Sequence, residues 1–466
     1  MNHIYNQLQE YEAIIRKNHI DLYQFSYQTR MKNVRKIVIS SQSQVNKIID
    51  EVRTYLINET EKRQLLQFSF MDQDKREALK REVKNYIQAN EKVVPGISAE
   101  ELLEFIMHEL TGFGIIQPLI EREEITDIFI NGRKEIRYID VNGKEHKYNS
   151  KMETEEELLG LAYKITNTAG EAFSTAKPYA ECSFPFIRIS ISKGDISGLG
   201  TSITIRKAAP YLRATEERLI STGQATKEML DLMEAAVKAD CTILICGPTG
   251  CGKTEFMKYM AGFIPDDERT LVIEDDPELF LELLYPEKHI FSKHGRRTED
   301  KNNNIDLAKL MKLGLREFPK RLILGESRGA EAWDMIEFFN TGHGGYTGIH
   351  APSARRAVKR LVQMCQRADE NLMSEHTLYS IIMDVFDLIV VLNSFEGQRY
   401  IVEISEPIGY ENGNVMMNHI FKLNEGKHQQ IGYISEELLQ KFKNRNIPKH
   451  LYESLISPNR EVIGVV

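Results

Sequence analysis

Thr242-Ile243-Leu244-Ile245-Cys246-Gly247-Pro248-Thr249-Gly250-Cys251-Gly252-Lys253-Thr254 decides how the rest of the chain is read. Thr242 to Cys246 is a short apolar, β-branched run, the pattern of a buried strand. Gly247 to Thr254 matches G-x-x-x-x-G-K-[ST], the phosphate-binding loop. Glu255-Phe256-Met257-Lys258-Tyr259-Met260 then reads as a helix. Strand, glycine loop and helix form the setting in which the motif carries meaning. Gly247, Gly250 and Gly252, with Pro248, Thr249 and Cys251 between them, let backbone N–H groups close around phosphate oxygens. The helix N-terminus adds its positive end. Lys253 is placed to reach the β- and γ-phosphates, and the Thr254 hydroxyl to ligand Mg²⁺. The stretch implies ATP and Mg²⁺ as cofactors.

The chain has 466 residues, which suggests two or three domains. Apolar residues make up 42% and charged residues 27%, an ordinary globular composition. The net charge of −8 argues against a general nucleic-acid binder. No apolar run reaches the length of a membrane span, and Met1-Asn2-His3-Ile4-Tyr5 lacks the start of a signal peptide. A cytoplasmic protein, at most peripheral to a membrane, is expected. Five cysteines, at 182, 241, 246, 251 and 365, fit a reducing compartment rather than a disulfide framework. Cys241, Cys246 and Cys251 are evenly spaced, but a metal there would destroy the phosphate loop.

Residues 1–95 read as a polar helical extension, with runs such as Arg76-Glu77-Ala78-Leu79-Lys80-Arg81-Glu82-Val83. Pro95-Gly96 marks a boundary. Ser98 and Glu101 form a capping box for a helix that ends at Gly112. Residues 96–208 read as a small α+β domain. Strands are predicted at 125–130, 136–140, 186–192 and 202–207, and a helix from Glu155 to Ala169. Residues 209–222 read as a linker. Residues 223–466 read as a second domain, with apolar strands at 242–246, 270–273, 321–324 and 387–392 alternating with helices. That alternation predicts a mainly parallel sheet.

Three further stretches carry chemistry. Strand Leu322-Ile323-Leu324 runs into Gly325-Glu326-Ser327-Arg328-Gly329, and an acidic residue just past an apolar strand can hold Mg²⁺ through water or orient the attacking water. Strand Leu271-Val272-Ile273 runs into Glu274-Asp275-Asp276-Pro277-Glu278, whose crowded carboxylates invite a cation. Thr341-Gly342-His343-Gly344-Gly345-Tyr346-Thr347-Gly348-Ile349-His350-Ala351 is glycine-rich enough for close backbone approach to a phosphate, with His350 or His343 as its sensor.

In this order the elements resemble the secretion ATPase superfamily of type II secretion, type IV pili and type IV secretion. Gly250 to Thr254 stands at its Walker A, Ile273 to Leu279 at its Asp box, Gly325 to Ala332 at Walker B, and Thr341 to Ala351 at the His box. Gly112-Phe113-Gly114-Ile115-Ile116-Gln117-Pro118-Leu119 and Ile125 to Gly132 are similar to the family's N-domain. The tail from Gly432-Tyr433 to Ile447-Pro448 resembles that of the tight-adherence pilus ATPases. The resemblance implies an α/β fold: a RecA-like P-loop C-terminal domain after a smaller α+β domain. It implies ATP hydrolysis, a homohexameric ring and an inner-membrane platform protein as partner. It assigns Glu326, Glu274, Lys253 and His350 to catalysis, and brings Arg188 and Arg206 from the N-domain to the nucleotide. Arg316, Arg321 and Arg328 resemble family arginines near Walker B. The segment before Arg188 reads Ser183-Phe184-Pro185-Phe186, where the family has a Gly-containing turn. Cys251 occupies a position more often Ser or Ala; beside Lys253 and a helix N-terminus, a lowered thiol pKa and sensitivity to thiol reagents are expected. The rival readings are a RecA-like nucleic-acid motor, which predicts DNA-stimulated hydrolysis, and a nucleotide-gated scaffold without turnover.

Overall fold

The computed structural model describes residues 44–458, apart from 46, 70–72, 185, 297–302, 369–372, 396 and 412. Residues 1–43 of the predicted N-terminal extension lie outside the described residues. The chain divides into two units, Met1–Ala208 and Ala209–Val466.

The first unit has a helical part and a sheet. Helices Thr60–Phe68, Gln73–Ala89 and Ala99–Thr111 share one apolar cluster, which includes Leu66, Leu79, Val83, Ile87, Leu103 and Ile106. The apolar face of Ala99–Thr111 therefore packs on the helices that precede Pro95. The capping box forms as expected: Ser98 N donates to Glu101 Oε2 at 2.9 Å, and Glu101 N donates back to Ser98 Oγ at 3.2 Å. The sheet comprises β1 (Ile125–Asn131), β2 (Ile136–Asp140), β3 (Glu145–Lys147), β4 (Tyr179–Phe184), β5 (Ile187–Ser192) and β6 (Ser202–Lys207). Its order is β3-β2-β1-β6-β5-β4, with every pairing antiparallel. Helix Glu155–Ala169 buries Leu158, Leu161, Ala162 and Ile165 in the same cluster as the sheet's inward residues. β3 and β4 escape the sequence reading. Between β4 and β5, Phe186 takes the left-handed conformation, φ 63°.

The second unit is built on a sheet of nine strands. They are β7 (Thr242–Cys246), β8 (Thr270–Glu274), β9 (Ile290–His294), β10 (Arg321–Leu324), β11 (Gly344–Ile349), β12 (Leu388–Phe395), β13 (Gln398–Glu411), β14 (Asn414–Asn424) and β15 (Lys427–Gln430). The order is β15-β14-β13-β12-β7-β11-β10-β8-β9. Pairings from β12 to β9 are parallel, and β13 to β15 extend the sheet antiparallel. The parallel core is buried on both faces, as helix-covered parallel strands are. Ile243 and Ile245 of β7 enter one apolar layer with helices Lys227–Lys238 and Lys253–Ala261. Leu244 and Cys246 enter the other, with Ala332–Asn340, Ala354–Cys365 and Glu375–Val385.

The glycine-rich stretch ahead of His350, read only as allowing close backbone approach, forms β11, buried along its whole length. A Cβ on Gly345 would fall 1.8 Å from the Leu322 carbonyl oxygen of β10, so the glycines permit close strand packing. The stretch 209–222 is not bare linker. It carries helix Glu216–Ser221, and Leu219 is buried against the second unit's first layer.

Candidate nucleotide site

β7, β11 and β10 are neighbours, so the residues that follow them meet at the C-terminal edge of the parallel core. That edge is where open α/β sheets place ligands. After β7 the loop Gly247 to Gly252 turns into helix Lys253–Ala261. Gly252 has φ 97°. A Cβ on Gly247 would sit 2.3 Å from the Leu392 carbonyl oxygen of β12. Conformation at one position and space at the other therefore demand glycine. Lys253 Nζ is folded over its own loop, donating to Gly247 O at 3.0 Å and Pro248 O at 3.1 Å.

The same ammonium lies 3.2 Å from His350 Nδ1, and His350 Nε2 lies 3.0 Å from Glu326 Oε2. Lys253 has only protons to give, so Nδ1 accepts. A neutral ring carrying its proton on Nε2 then donates to Glu326, and both contacts are satisfied without charging the imidazole. Arg328 pairs with the other oxygen of Glu326. Burial would push the Glu326 carboxyl up, but the bonds from His350 and Arg328, with the Arg328 charge, hold it down at about 2. Glu326 is thus a fixed anion between two donors.

The acidic stretch after β8 is arranged differently from expectation. Glu274 is only 5% exposed. Its carboxylate turns into its own loop and accepts from the N–H groups of Glu278 at 3.0 Å and Leu279 at 3.1 Å. Burial raises its pKa against those bonds and a nearby His294. Glu278 is the member that reaches the phosphate-loop helix, with Thr254 Oγ1 3.5 Å from its Oε2. His343 lies apart: its Nδ1 is 2.8 Å from Thr341 Oγ1 and its ring packs on Phe338.

Cys251 corrects a second expectation. Its side chain is buried at 1% exposure. Desolvation raises its pKa, outweighing Lys253 and the backbone donors that would lower it. Arg321 is likewise 1% exposed and structural. It stands at the opposite end of β10 from Glu326, pairs with Glu268, and donates to Val237 O at 2.6 Å.

Arg399 is the residue the sequence reading passed over. It begins β13, and its Nε donates to Gly250 O at 3.2 Å across the phosphate loop. Burial lowers its pKa, and the nearby charges of Arg218 and Arg213 add to the effect. The only sequence signal is a lone arginine after Gly397-Gln398. The helix after the loop has a further grip: Lys258, itself buried, donates to Ala209 O at 2.8 Å and to Glu255 at 3.1 Å, and Arg213 N donates to Glu255 at 3.2 Å.

In the first unit, Arg188 and Arg206 stand directly opposite each other on β5 and β6, and Asp127 of β1 is opposite Arg206 on the other side. Cross-strand partners share a face, and like charges so placed repel unless an anion lies between or beside them.

Residues 189–402 match the family model described as type II/IV secretion system protein. The chain is 31% identical over 315 residues to the type IV secretion system protein PtlH of Bordetella pertussis, a match spanning 62% of this chain and 92% of PtlH. It is 26% identical over 342 residues to an uncharacterized protein of Bacillus anthracis, spanning 73% and 74% of the two chains. Among solved structures, the Brucella suis VirB11 ATPase in complex with sulphate aligns at 25% identity and a TM-score of 0.34, over 62% of this chain and 91% of that one. A phosphate loop, a Glu326–His350–Lys253 chain beyond it and a match along nearly all of PtlH lead to one conclusion: the chain belongs to the type II/type IV secretion ATPase family and is an ATPase.

Proposed function

We propose that the chain is a Mg²⁺-dependent motor, assembled as a homohexameric ring, that powers secretion or pilus assembly through an inner-membrane platform protein. The observation that carries the reading is the unbroken chain Lys253–His350–Glu326–Arg328 at the mouth of the phosphate loop. Lys253 exchanges the Gly247 and Pro248 carbonyls for phosphate oxygens when ATP enters. Glu326, held ionised, accepts a hydrogen bond from the attacking water and orients it. His350 sits between them and moves with either. Arg399 braces the loop from the opposite side.

The donor set suits Mg²⁺. Thr254 offers a hydroxyl, and Glu278 and Glu326 offer carboxylates for bound water. Among the described residues no group of three or more His, Cys, Asp or Glu side chains forms a metal cage. Thr254, with Glu278 and Glu326 through water, would hold such an ion beside the phosphates, where it would supply neutralising charge. Arg188 and Arg206 add positive charge from the first unit. Among the described residues no helix is long and apolar enough to cross a membrane. A platform protein would supply the membrane contact to a cytoplasmic, peripherally bound ring.

The deciding experiment is Lys253→Ala. Turnover should fall to background while circular dichroism and melting stay close to wild type. Normal ATPase activity in this variant would sink the account. Running the wild type with and without DNA tests the nucleic-acid motor, which requires stimulation by DNA.

A further inference from the structure

We propose that a cationic cavity beside Glu326 receives orthophosphate, the product split from ATP. The proposal rests on the chain hydrolysing ATP. The cavity has a volume of about 440 Å³, and its wall includes Arg328, His350, Arg356, Lys359, Arg360 and Arg367. Among the described residues no carboxylate lines it.

The sequence builds this wall from one helix face. In Ala354–Cys365 the residues Ala357, Val358, Leu361, Val362 and Cys365 are buried under the sheet. Arg356, Lys359 and Arg360, with Arg367 just past the helix end, are exposed on the other face. Lys359 and Arg360 follow Arg356 by three and four residues, and Arg367 follows Arg360 by seven, two turns on, so they lie along one stripe. Like charges at that spacing destabilise a helix by a few tenths of a kcal/mol per pair, about 0.2–0.5. An arrangement of the described residues that accepts this repulsion with no carboxylate among them is suited to an anion. Guanidinium forks match the oxygens of a tetrahedral phosphate.

Position identifies which anion. His350 and Arg328 line the cavity and also hold Glu326. His350 touches Lys253, the residue aimed at the γ-phosphate. A phosphate freed at that point meets His350, then Arg328, then the helix stripe. Once there, it competes with Glu326 for Arg328. Occupancy of the cavity therefore loosens the Glu326 anchor until the product leaves. A concave wall of this kind does not fit a flat membrane surface.

The test uses the full chain saturated with ADP, so that the phosphate loop is filled. Radiolabelled orthophosphate is titrated in by equilibrium dialysis, with wild type compared to the double variant Arg356→Ala, Arg360→Ala. Saturable binding to wild type, weakened about tenfold or more in the variant, is the expected result, the loss of one or two charge-assisted bonds. In steady-state hydrolysis, the inhibition constant for added phosphate should rise by the same factor with KM for ATP unchanged. A second pair, Lys359→Ala with Arg367→Ala, repeats the measurement if the first is poorly folded. Equal phosphate binding in wild type and variants overturns the proposal. So does a wild type that binds no phosphate but binds duplex DNA or phosphatidylserine vesicles through the same arginines. If wild type binds phosphate in this cavity yet does not hydrolyse ATP, the anion site stands and the hydrolysis reading falls.

Discussion

Glu326 owes its charge to two donors on opposite sides, and that makes its behaviour with pH specific. Its carboxyl lies at about 2 in the folded chain against an ordinary 4.5. A depressed folded value stabilises the protein above the unfolded pKa, and that contribution is lost as pH falls towards the folded one. Melting temperatures of wild type and Glu326→Gln should therefore differ near neutrality and converge between pH 4.5 and about 2. A constant difference across that window would count against the arrangement. At neutral pH, Glu326→Gln should lower kcat by about a hundredfold or more while ATP binding persists. Lys253, Thr254 and Glu326 were legible in the sequence because each sits at a fixed offset from an apolar strand, and His350 because it closes the glycine-rich stretch. Glu278 was not distinguishable from Glu274, Asp275 and Asp276, because the choice depends on which carboxylate the loop's own N–H groups capture. Arg399 was invisible for a different reason. It comes from a strand whose place beside the phosphate loop is set by sheet order alone.

At the level of elements, β11 shows how glycine can conceal a strand. Gly344, Gly345 and Gly348 lower its apparent strand propensity, yet its neighbours' backbones are too close for side chains. Gly345→Ala would place a methyl 1.8 Å from a β10 carbonyl at φ 144°. It should destabilise the protein by about 3 kcal/mol or more. Gly342, with φ 91° but open space around it, should cost only about 1–2 kcal/mol as alanine. Denaturant midpoints of the two variants check the contrast, and equal midpoints would refute it. The strands either side, β7 and β10, were readable from their apolar runs. The adjacency β7-β11-β10, which brings Lys253, His350 and Glu326 together, needed the hidden strand. Among the first unit's elements, β1, β2, β6 and helix Glu155–Ala169 were readable from alternation and capping, whereas the short, half-polar β3 was not.

For the whole molecule, the paired arginines of the first unit carry the claim that hydrolysis involves both units. Arg206→Ala should leave ATP binding in place and lower kcat by about a thousandfold or more, the range of a transition-state arginine. Unchanged kcat would confine the chemistry to the second unit. The chain connecting the two units leads straight into the grip described above, where Lys258 and Glu255 hold Ala209 and Arg213. Lys258 and Glu255 belong to the helix that opens with Lys253 and Thr254. On the proposed motor reading, a load on the backbone at residue 209 would reach that helix, and turnover would depend on tension as well as on ATP.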